Sequence, residues 1–377
     1  MESDTHSKKK RLLARAQSWY ARIERPFSSI SLIGGFVFDA VTLTRVDEYW
    51  ENFWVVAHLA IVTACALMIN LIENTSGRDE EDPAKLHFWL VNVMQFFFGG
   101  IFSTFLVFYF RSGSIITDWP FLALLAIAFI ANERLKRHYA RLAFQLALLF
   151  LGYYAFAIYL IPILFHQIST TIFLLSGAAS VAMIGLVVLI LRKFSRERFV
   201  GRAKWLARGA IAGILIAVNV LYFFNLIPPL PLSLKDAGVY QSLVVNSPGH
   251  YTVQYENQGW LSFFAWSETL HITPGSPLYA YTAVFSPTSL NTNIVHEWQY
   301  YDPTAGGGSG AWVTRARVSL AVTGGTDGGY RTFSMIPSPA TGAWRVNVET
   351  PRGQLIGQLR FDVIAASTTE ALVTETI

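Results

Sequence analysis

Seven apolar stretches run through the first 230 residues, at roughly 27–43, 53–72, 87–110, 115–131, 142–165, 170–191 and 209–227. A helix needs about 20 apolar residues to cross the hydrocarbon core of a bilayer. Five of the stretches meet that need. The first and fourth are shorter and are interrupted by Asp39 and Asp118. Only 14% of the 377 residues are charged, against about 25% in an average soluble domain. The pattern predicts a membrane α-helical bundle of about seven spans.

The charges fix an expected orientation. Twenty Lys and Arg residues lie in the N-terminal arm and in the connections after the second, fourth and sixth stretches, whereas the alternate connections hold only Arg45 and Arg111. Basic residues concentrate on the cytoplasmic side of a membrane protein. The N-terminus is then cytoplasmic, and seven crossings put the C-terminal part outside. The arm, residues 1–26, carries Lys8, Lys9, Lys10 and Arg11, which suits contact with anionic lipid. The net charge of +4 is no sign of nucleic-acid binding, because the part from Leu230 onward holds seven basic and ten acidic residues. One cysteine, Cys65, sits in an apolar run, so neither a disulfide framework nor a thiolate metal site is expected.

Composition changes after Pro228, Pro229 and Pro231. Prolines cannot continue a helix and favour a stiff extended connection, here drawn as a linker over 228–237. Residues 238–365 are rich in Val, Thr, Tyr, Trp and Gly, with frequent turn residues. That spacing reads as an all-β antiparallel sandwich. Alternation puts Thr314, Ala316, Val318, Leu320 and Val322 on one face of a strand and Arg315, Arg317 and Ser319 on the other. Trp344, Val346 and Val348 point inward, and Arg345, Asn347 and Glu349 outward. Residues 366–377 are polar and read as a flexible tail.

The stretch Val295-His-Glu-Trp-Gln-Tyr300 begins like a zinc-protease signature, but the position of the second histidine holds Tyr300. On a strand, His296, Trp298 and Tyr300 share one face and Glu297 points away, so His296 and Glu297 cannot hold one ion together. The His-Trp-Tyr face is either core, with a hydrogen-bonded histidine, or a candidate recognition face. Trp260, Phe263, Phe264 and Trp266 crowd into one short segment; core packing, membrane contact and partner docking all suit them. Within the apolar stretches, Asp39 and His58 fall at similar depth on neighbouring antiparallel spans, and a polar pair is expected between them. Asn70, Asn92, Gln95 and Asn219 suit hydrogen bonds between helices, and Gly209 with Gly213 suits close helix packing. The glycine-rich loops 306–310 and 324–329 lack the lysine and the strand–loop–helix setting of a phosphate cradle. No nucleophile elbow or kinase motif is present.

Several segments carry a family resemblance: Gly34-Gly-Phe-Val-Phe-Asp39 with Arg45-Val-Asp47, Ala283-Val-Phe-Ser-Pro-Thr288, His296-Glu-Trp298, Tyr330-Arg-Thr-Phe333 and Trp344-Arg-Val-Asn-Val348. Over roughly residues 28–365 the chain resembles a bacterial membrane-protein family with a C-terminal β domain of unknown function. The resemblance implies a two-part architecture and an envelope location. It implies no activity and no catalytic residues.

These readings combine into one expectation. Residues 27–227 form a transmembrane domain of the bacterial inner membrane, and 238–365 form a periplasmic sandwich. The protein is expected to be non-catalytic, with no cofactor or metal and no nucleic-acid partner. Its partners are membrane lipid and other membrane or envelope proteins, which it serves as a scaffold or accessory subunit. The alternative is a sensor whose β domain grips a glycan, peptide or lipid; third comes a transporter or membrane enzyme.

Overall fold

The computed structural model describes residues 34–43, 48–75, 82–134, 141–194, 201–256, 267–288, 290–366 and 372–377. Among the described residues seven helices come first: α1 (34–42), α2 (Tyr49–Thr75), α3 (Asp82–Ser112), α4 (Ile115–Arg134), α5 (Leu142–Phe165), α6 (Thr170–Phe194) and α7 (Gly201–Phe223). Five of them, α2, α3, α5, α6 and α7, are long and apolar enough to cross a membrane. The apolar part of α4, Ile116–Asn132, is shorter, at about 26 Å for 1.5 Å of rise per residue.

The central helix is α5. Its sequence is apolar around its whole circumference, as a helix surrounded by others requires, and 72% of its most apolar window is buried, against 17% for α7 at the periphery. Single polar side chains tie the helices together. Asn70 donates to Gln145 Oε1 at 2.7 Å, Asn219 to the Tyr154 hydroxyl at 3.1 Å and Tyr109 to the Ala155 carbonyl at 2.7 Å. Asn132 donates to the Gln95 carbonyl at 3.0 Å, whereas Asn92 donates to Phe88 on its own helix. A stripe on α6 lets it approach α5: a Cβ added to Gly177 would lie 3.0 Å from the Tyr154 hydroxyl. Pro162 stands in the last turn of α5 and leaves the helix continuous to Phe165, where His166 closes it in the left-handed conformation.

Among the described residues eleven strands follow: β1 (Ser233–Tyr240), β2 (Ser242–Ser247), β3 (His250–Glu256), β4 (Glu268–Ile272), β5 (Leu278–Phe285), β6 (Thr292–Asp302), β7 (Ala311–Val322), β8 (Tyr330–Ile336), β9 (Gly342–Glu349), β10 (Leu355–Ala365) and β11 (Leu372–Thr376). They form three sheets, ordered β1-β5-β8, β4-β10-β9-β6-β7 and β11-β3-β2. The first of these is sandwiched between the other two. Ala280 and Val284 of β5 face the five-stranded sheet, packing with Trp298, Trp344, Phe361 and Ile294, while Tyr281 and Ala283 face Tyr251 and Val253 of β3. Burial on both faces explains why Ala280 to Phe285 read as one continuous apolar run broken only by Thr282.

Four expectations change here. The sandwich has three layers instead of two, and β4 runs parallel to β10. The segment after residue 366 includes β11, which pairs with β3 and packs Ile377 against the third layer, so it is no flexible tail. The proline segment is a buried turn and not an extended linker: Ile227, Leu230 and Leu232 are buried, the Leu230 and Leu232 amides bond to Pro228 and Pro229, and β1 starts at Ser233. Finally, a bulge shifts the β6–β7 register between Trp298 and Gln299, so that Trp298 faces Ala316 but Gln299 faces Thr314. Arg315 is the extra residue, and Thr314 moves to the same face as Arg317.

Candidate functional site

His296 sits at the centre of the sandwich, fully buried. Nε2 lies 2.9 Å from the Thr282 hydroxyl and Nδ1 2.9 Å from that of Ser334, which also accepts from the Trp298 indole at 2.9 Å. Thr282 belongs to β5 and Ser334 to β8, so this cluster pins β6 to the middle sheet. Burial pushes the imidazole pKa down to about 4, which keeps it neutral at pH 7. Trp298 is equally buried, and Tyr300 is half-buried against Trp344 at 5.1 Å. The candidate recognition face formed by these three residues is therefore interior: the inner side of the sandwich needs the apolar bulk of Trp298 and leaves no approach for a ligand.

The opposite face of the same strand is polar, no other described sheet packs on it, and Glu297, Asn347 and Glu349 on it are nevertheless buried. Glu297 and Gln299 of β6 meet Arg317 and Thr314 of β7 on one side, and Asn347 and Arg345 of β9 on the other. Across β9, Asn347 and Arg345 meet Gln358 and Arg360 of β10. Hydrogen bonds tie these rows into one ladder centred on Glu297. Its carboxylate accepts from Thr314 at 2.9 Å, Gln299 at 2.9 Å and Asn347 at 3.2 Å, and Arg317 lies at 3.6 Å. Gln358 donates to Asn347 at 2.6 Å, Arg345 to Gln299 at 2.6 Å and Arg360 to Gln358 at 2.5 Å. Arg317 also reaches Glu349 at 2.6 Å.

Electrostatics differ along the ladder. Burial, reinforced by the nearby Glu297 charge, raises the Glu349 carboxyl to about 7, with Arg317 opposing the rise. At the other end the Arg345 guanidinium lies over the Trp312 ring, 4.4 Å from its centroid, and Trp312 meets Tyr301 edge-on at 5.4 Å. Burial and the neighbouring Arg360 make Arg345 less basic than usual. Alternation in the sequence contains the signal for this face: every second residue of β6, β7, β9 and β10 is charged or an amide over part of its length. Attention to His296 and Trp298 passes over it.

A second constellation joins the β domain to the bundle. Arg352, in the turn between β9 and β10, lies over Tyr222 of α7 at 4.3 Å and over Phe223 at 5.7 Å, and donates to Thr170 at the start of α6. Tyr222 stacks flat on Phe173 of α6 with ring centres 3.6 Å apart. Asn225 donates to the Arg352 carbonyl at 3.1 Å, and Gln354 to the Ile227 carbonyl at 3.2 Å. A cavity of about 30 Å³ beside this joint, lined by Pro162, Phe173, Tyr222, Pro228 and Gln354, has room for little more than water.

The remaining candidates are placed as follows. Asp39 has Ser103 as its side-chain neighbour, with His58 near enough to interact with it electrostatically. His58 turns Nδ1 to the Trp54 carbonyl at 2.7 Å and rests its ring on Gly100, so the two are coupled through space and not by a direct hydrogen bond. Gly209 and Gly213 have nothing within 4 Å of an added Cβ among the described residues, and the buried residues of α7 are Ala207, Val218 and Tyr222 instead. Trp260, Phe263, Phe264 and Trp266 lie outside the described residues. Among the described residues, no three His, Cys, Asp or Glu side chains converge as a metal ion would require.

Residues 291–363 match a family described as protein of unknown function (DUF2914). No curated protein and no solved structure matches the chain. The matched segment runs from the residue before β6 to the last turns of β10, so it is similar to that family over the strands that build the polar ladder.

Proposed function

We propose that the protein is a non-catalytic integral subunit of the bacterial inner membrane: the bundle anchors it, and the β domain docks an envelope component on the polar ladder of its five-stranded sheet. The observation that carries this reading is the joint. Arg352, Gln354 and Asn225 fasten the β domain to the ends of α6 and α7, so the ladder is held at a fixed orientation to the bundle. A domain fixed in this way suits a platform better than it suits a swinging lid.

Membrane anchoring is supported by the exposed aromatics. Tyr49, Trp50, Phe53 and Trp54 at the start of α2, Trp119 near the start of α4 and Phe223 with Phe224 at the end of α7 lie at the end nearest the β domain. Phe88, Trp89, Phe194 and Trp205 lie at the other end. Aromatic belts at both interfaces mark membrane-spanning bundles. Arg192, Lys193, Arg202, Lys204 and Arg208 also cluster at the end away from the β domain, which agrees with a β domain outside the cytoplasm. In the ladder, both carboxylates are committed to arginine, which suits recognition more than proton transfer.

Two measurements test the reading. A reporter fused after Ile377 is expected to be active only outside the cytoplasm; activity confined to the cytoplasm overturns the topology. Extraction from native membranes in mild detergent is expected to recover the protein with an envelope component in fixed ratio, and a ladder variant, Glu297→Ala with Arg317→Ala, is expected to lose it. Retention of the component by that variant moves docking away from this face.

A further inference from the structure

On the side of the β domain away from the ladder, the middle and third sheets meet along a group of tyrosines. The Tyr240 ring of β1 lies 6.0 Å from Tyr255 of β3 and 6.2 Å from Tyr281 of β5, inclined to them by 62° and 59°. The β1–β5 register puts Asp236, Gly238 and Tyr240 opposite Ala283, Tyr281 and Tyr279, on the face that meets the third sheet. Gly238 leaves a notch in this row. A Cβ added there would lie 2.7 Å from the Tyr240 hydroxyl, so the Tyr240 side chain folds back along β1 over the glycine, which carries its hydroxyl toward Asp236. From β11, Glu375 accepts from the Tyr255 hydroxyl at 2.9 Å.

The notch is anionic, and one of its hydroxyls is unmatched. Burial holds the Tyr240 hydroxyl well above its ordinary pKa, and the charges of Asp236 and Glu375 both add to the rise. Tyr281 is only 1% exposed, yet among the described residues its hydroxyl has no hydrogen-bond partner. Burial pushes its pKa up to about 12, with Arg331 opposing and Asp236 adding. Among the described residues neither Asp236 nor Glu375 has a basic partner. Arg331 shares a cross-strand row with Asp236 but stands two strands away, about 10 Å, and donates to the Gly249 carbonyl at 2.9 Å. Lys235 holds its ammonium over the Phe285 ring at 5.2 Å. The β-domain segments outside the described residues, 257–266, 289 and 367–371, contain no Lys, Arg or His.

We propose that this notch binds the ammonium group of a water-soluble amine, with Tyr240, Tyr255 and Tyr281 around it and Asp236 and Glu375 balancing its charge. The site is separate from the ladder and does not depend on docking there. Aromatic faces attract cations, and more strongly when the cation is desolvated. An alkylammonium has three donors and no acceptor, which matches two carboxylates and the Tyr281 oxygen. Asp236 and Glu375 are exposed, so the ligand can enter from solvent. A calcium ion would need six to eight oxygen ligands, and no three acidic or histidine side chains converge among the described residues. A lipid headgroup is disfavoured by reach: Tyr240 is seven residues along β1 from Ser233, next to the bundle, or roughly 23 Å on an extended strand.

The test uses the full chain in non-ionic detergent at about 0.1 M salt, where exposed charges are partly screened. The probe is n-butylammonium, with n-butanol as its neutral counterpart, and titration is followed through carbon-13-labelled tyrosine rings. Butylammonium is expected to bind about tenfold more tightly than butanol. The double variant Asp236→Asn, Glu375→Gln is expected to lose that margin and to melt with the parent, because both side chains are exposed. Tyr240→Leu keeps both charges and is expected to lose the margin as well, which separates a built notch from diffuse attraction to acid. Asp302→Asn, on β6, is expected to bind like the parent. Doping the micelles with phosphatidylethanolamine is expected to leave the affinity unchanged. The proposal is overturned if butylammonium binds no better than butanol, if either notch variant binds like the parent, or if Asp302→Asn loses the margin too. A fall in affinity on adding phosphatidylethanolamine overturns the water-soluble source and puts the lipid headgroup in the notch.

Discussion

The two halves of the chain handle polar side chains in opposite ways. In the bundle they are more dispersed: Asn70 with Gln145, Asn219 with Tyr154 and Tyr109 with a carbonyl each join two helices. In the β domain they are gathered, one small set inside around His296 and one extended ladder outside around Glu297. The difference follows from the backbone. A helix satisfies its own amides and carbonyls, so an isolated polar side chain needs only one partner across a helix contact. A strand presents every second residue to the same face, and neighbouring strands bring those residues into rows. Networks therefore form on sheets almost by default.

If the halves are separate in this sense, damage to one should spare the other. Trp298→Ala removes the largest fully buried side chain of the β domain, and a loss of about 3–5 kcal/mol is expected. Thermal scans should then show an early β transition and an unchanged helical one by circular dichroism. A common shift of both transitions would show that the joint makes them one cooperative unit.

Acid offers a gentler probe. The His296 pKa is lowered to about 4 in the folded chain from the ordinary 6.5, so protonation favours the unfolded state. The stabilisation is fully present above pH 6.5 and is lost as pH falls toward 4, by about 3 kcal/mol in all. Glu349 has the opposite sign: its pKa is raised to about 7 from 4.5, so its contribution is present below pH 4.5 and is lost as pH rises through 7. Chemical denaturation at a series of pH values should show the acid slope in the parent and a flatter one in His296→Asn. An unchanged slope in that variant assigns the acid sensitivity elsewhere.

The smallest effect is expected at the joint. Arg352→Ala removes the cation over Tyr222, worth about 1 kcal/mol. Amide exchange should quicken at residues 224–232 and stay unchanged in the β core. Faster exchange throughout the β domain would mean that the joint supports the fold and does more than hold its orientation.

The sequence shows much of this plainly and some of it not at all. Length and apolarity place α2, α5 and α6 to within four residues, because such runs have no competing way to be buried, whereas α3 starts five and α7 eight residues before its apolar stretch. Alternation puts Trp344, Val346 and Val348 on the core face, as found, but Asn347 and Glu349, expected outside, are buried as well, and only Arg345 stays partly exposed. Two things escape a local pattern. The third layer depends on β11 returning to β3 across more than a hundred residues, and nothing in Leu372–Thr376 alone specifies that partner. The bulge at Arg315 reverses the side of Thr314 and Trp312, and an unbroken alternation rule carries both to the wrong face. The ladder was legible in part: alternation separates Glu297 from His296, but only the pairing of four strands shows that Glu297 has company.

That same bulge has a consequence for how copies of the protein coexist. β7 is twelve residues long and, among the described strands, stands at the end of its sheet, and a sheet edge is where another strand can read backbone amides and carbonyls as a template. An uninterrupted edge of that length invites chain-to-chain zipping in a crowded compartment. The extra residue at Arg315 breaks the spacing of that row near its middle and puts a charge there. An incoming strand can match one half of the edge or the other, but not both. The irregularity that hides Thr314 from sequence reading is also a guard against fibre growth.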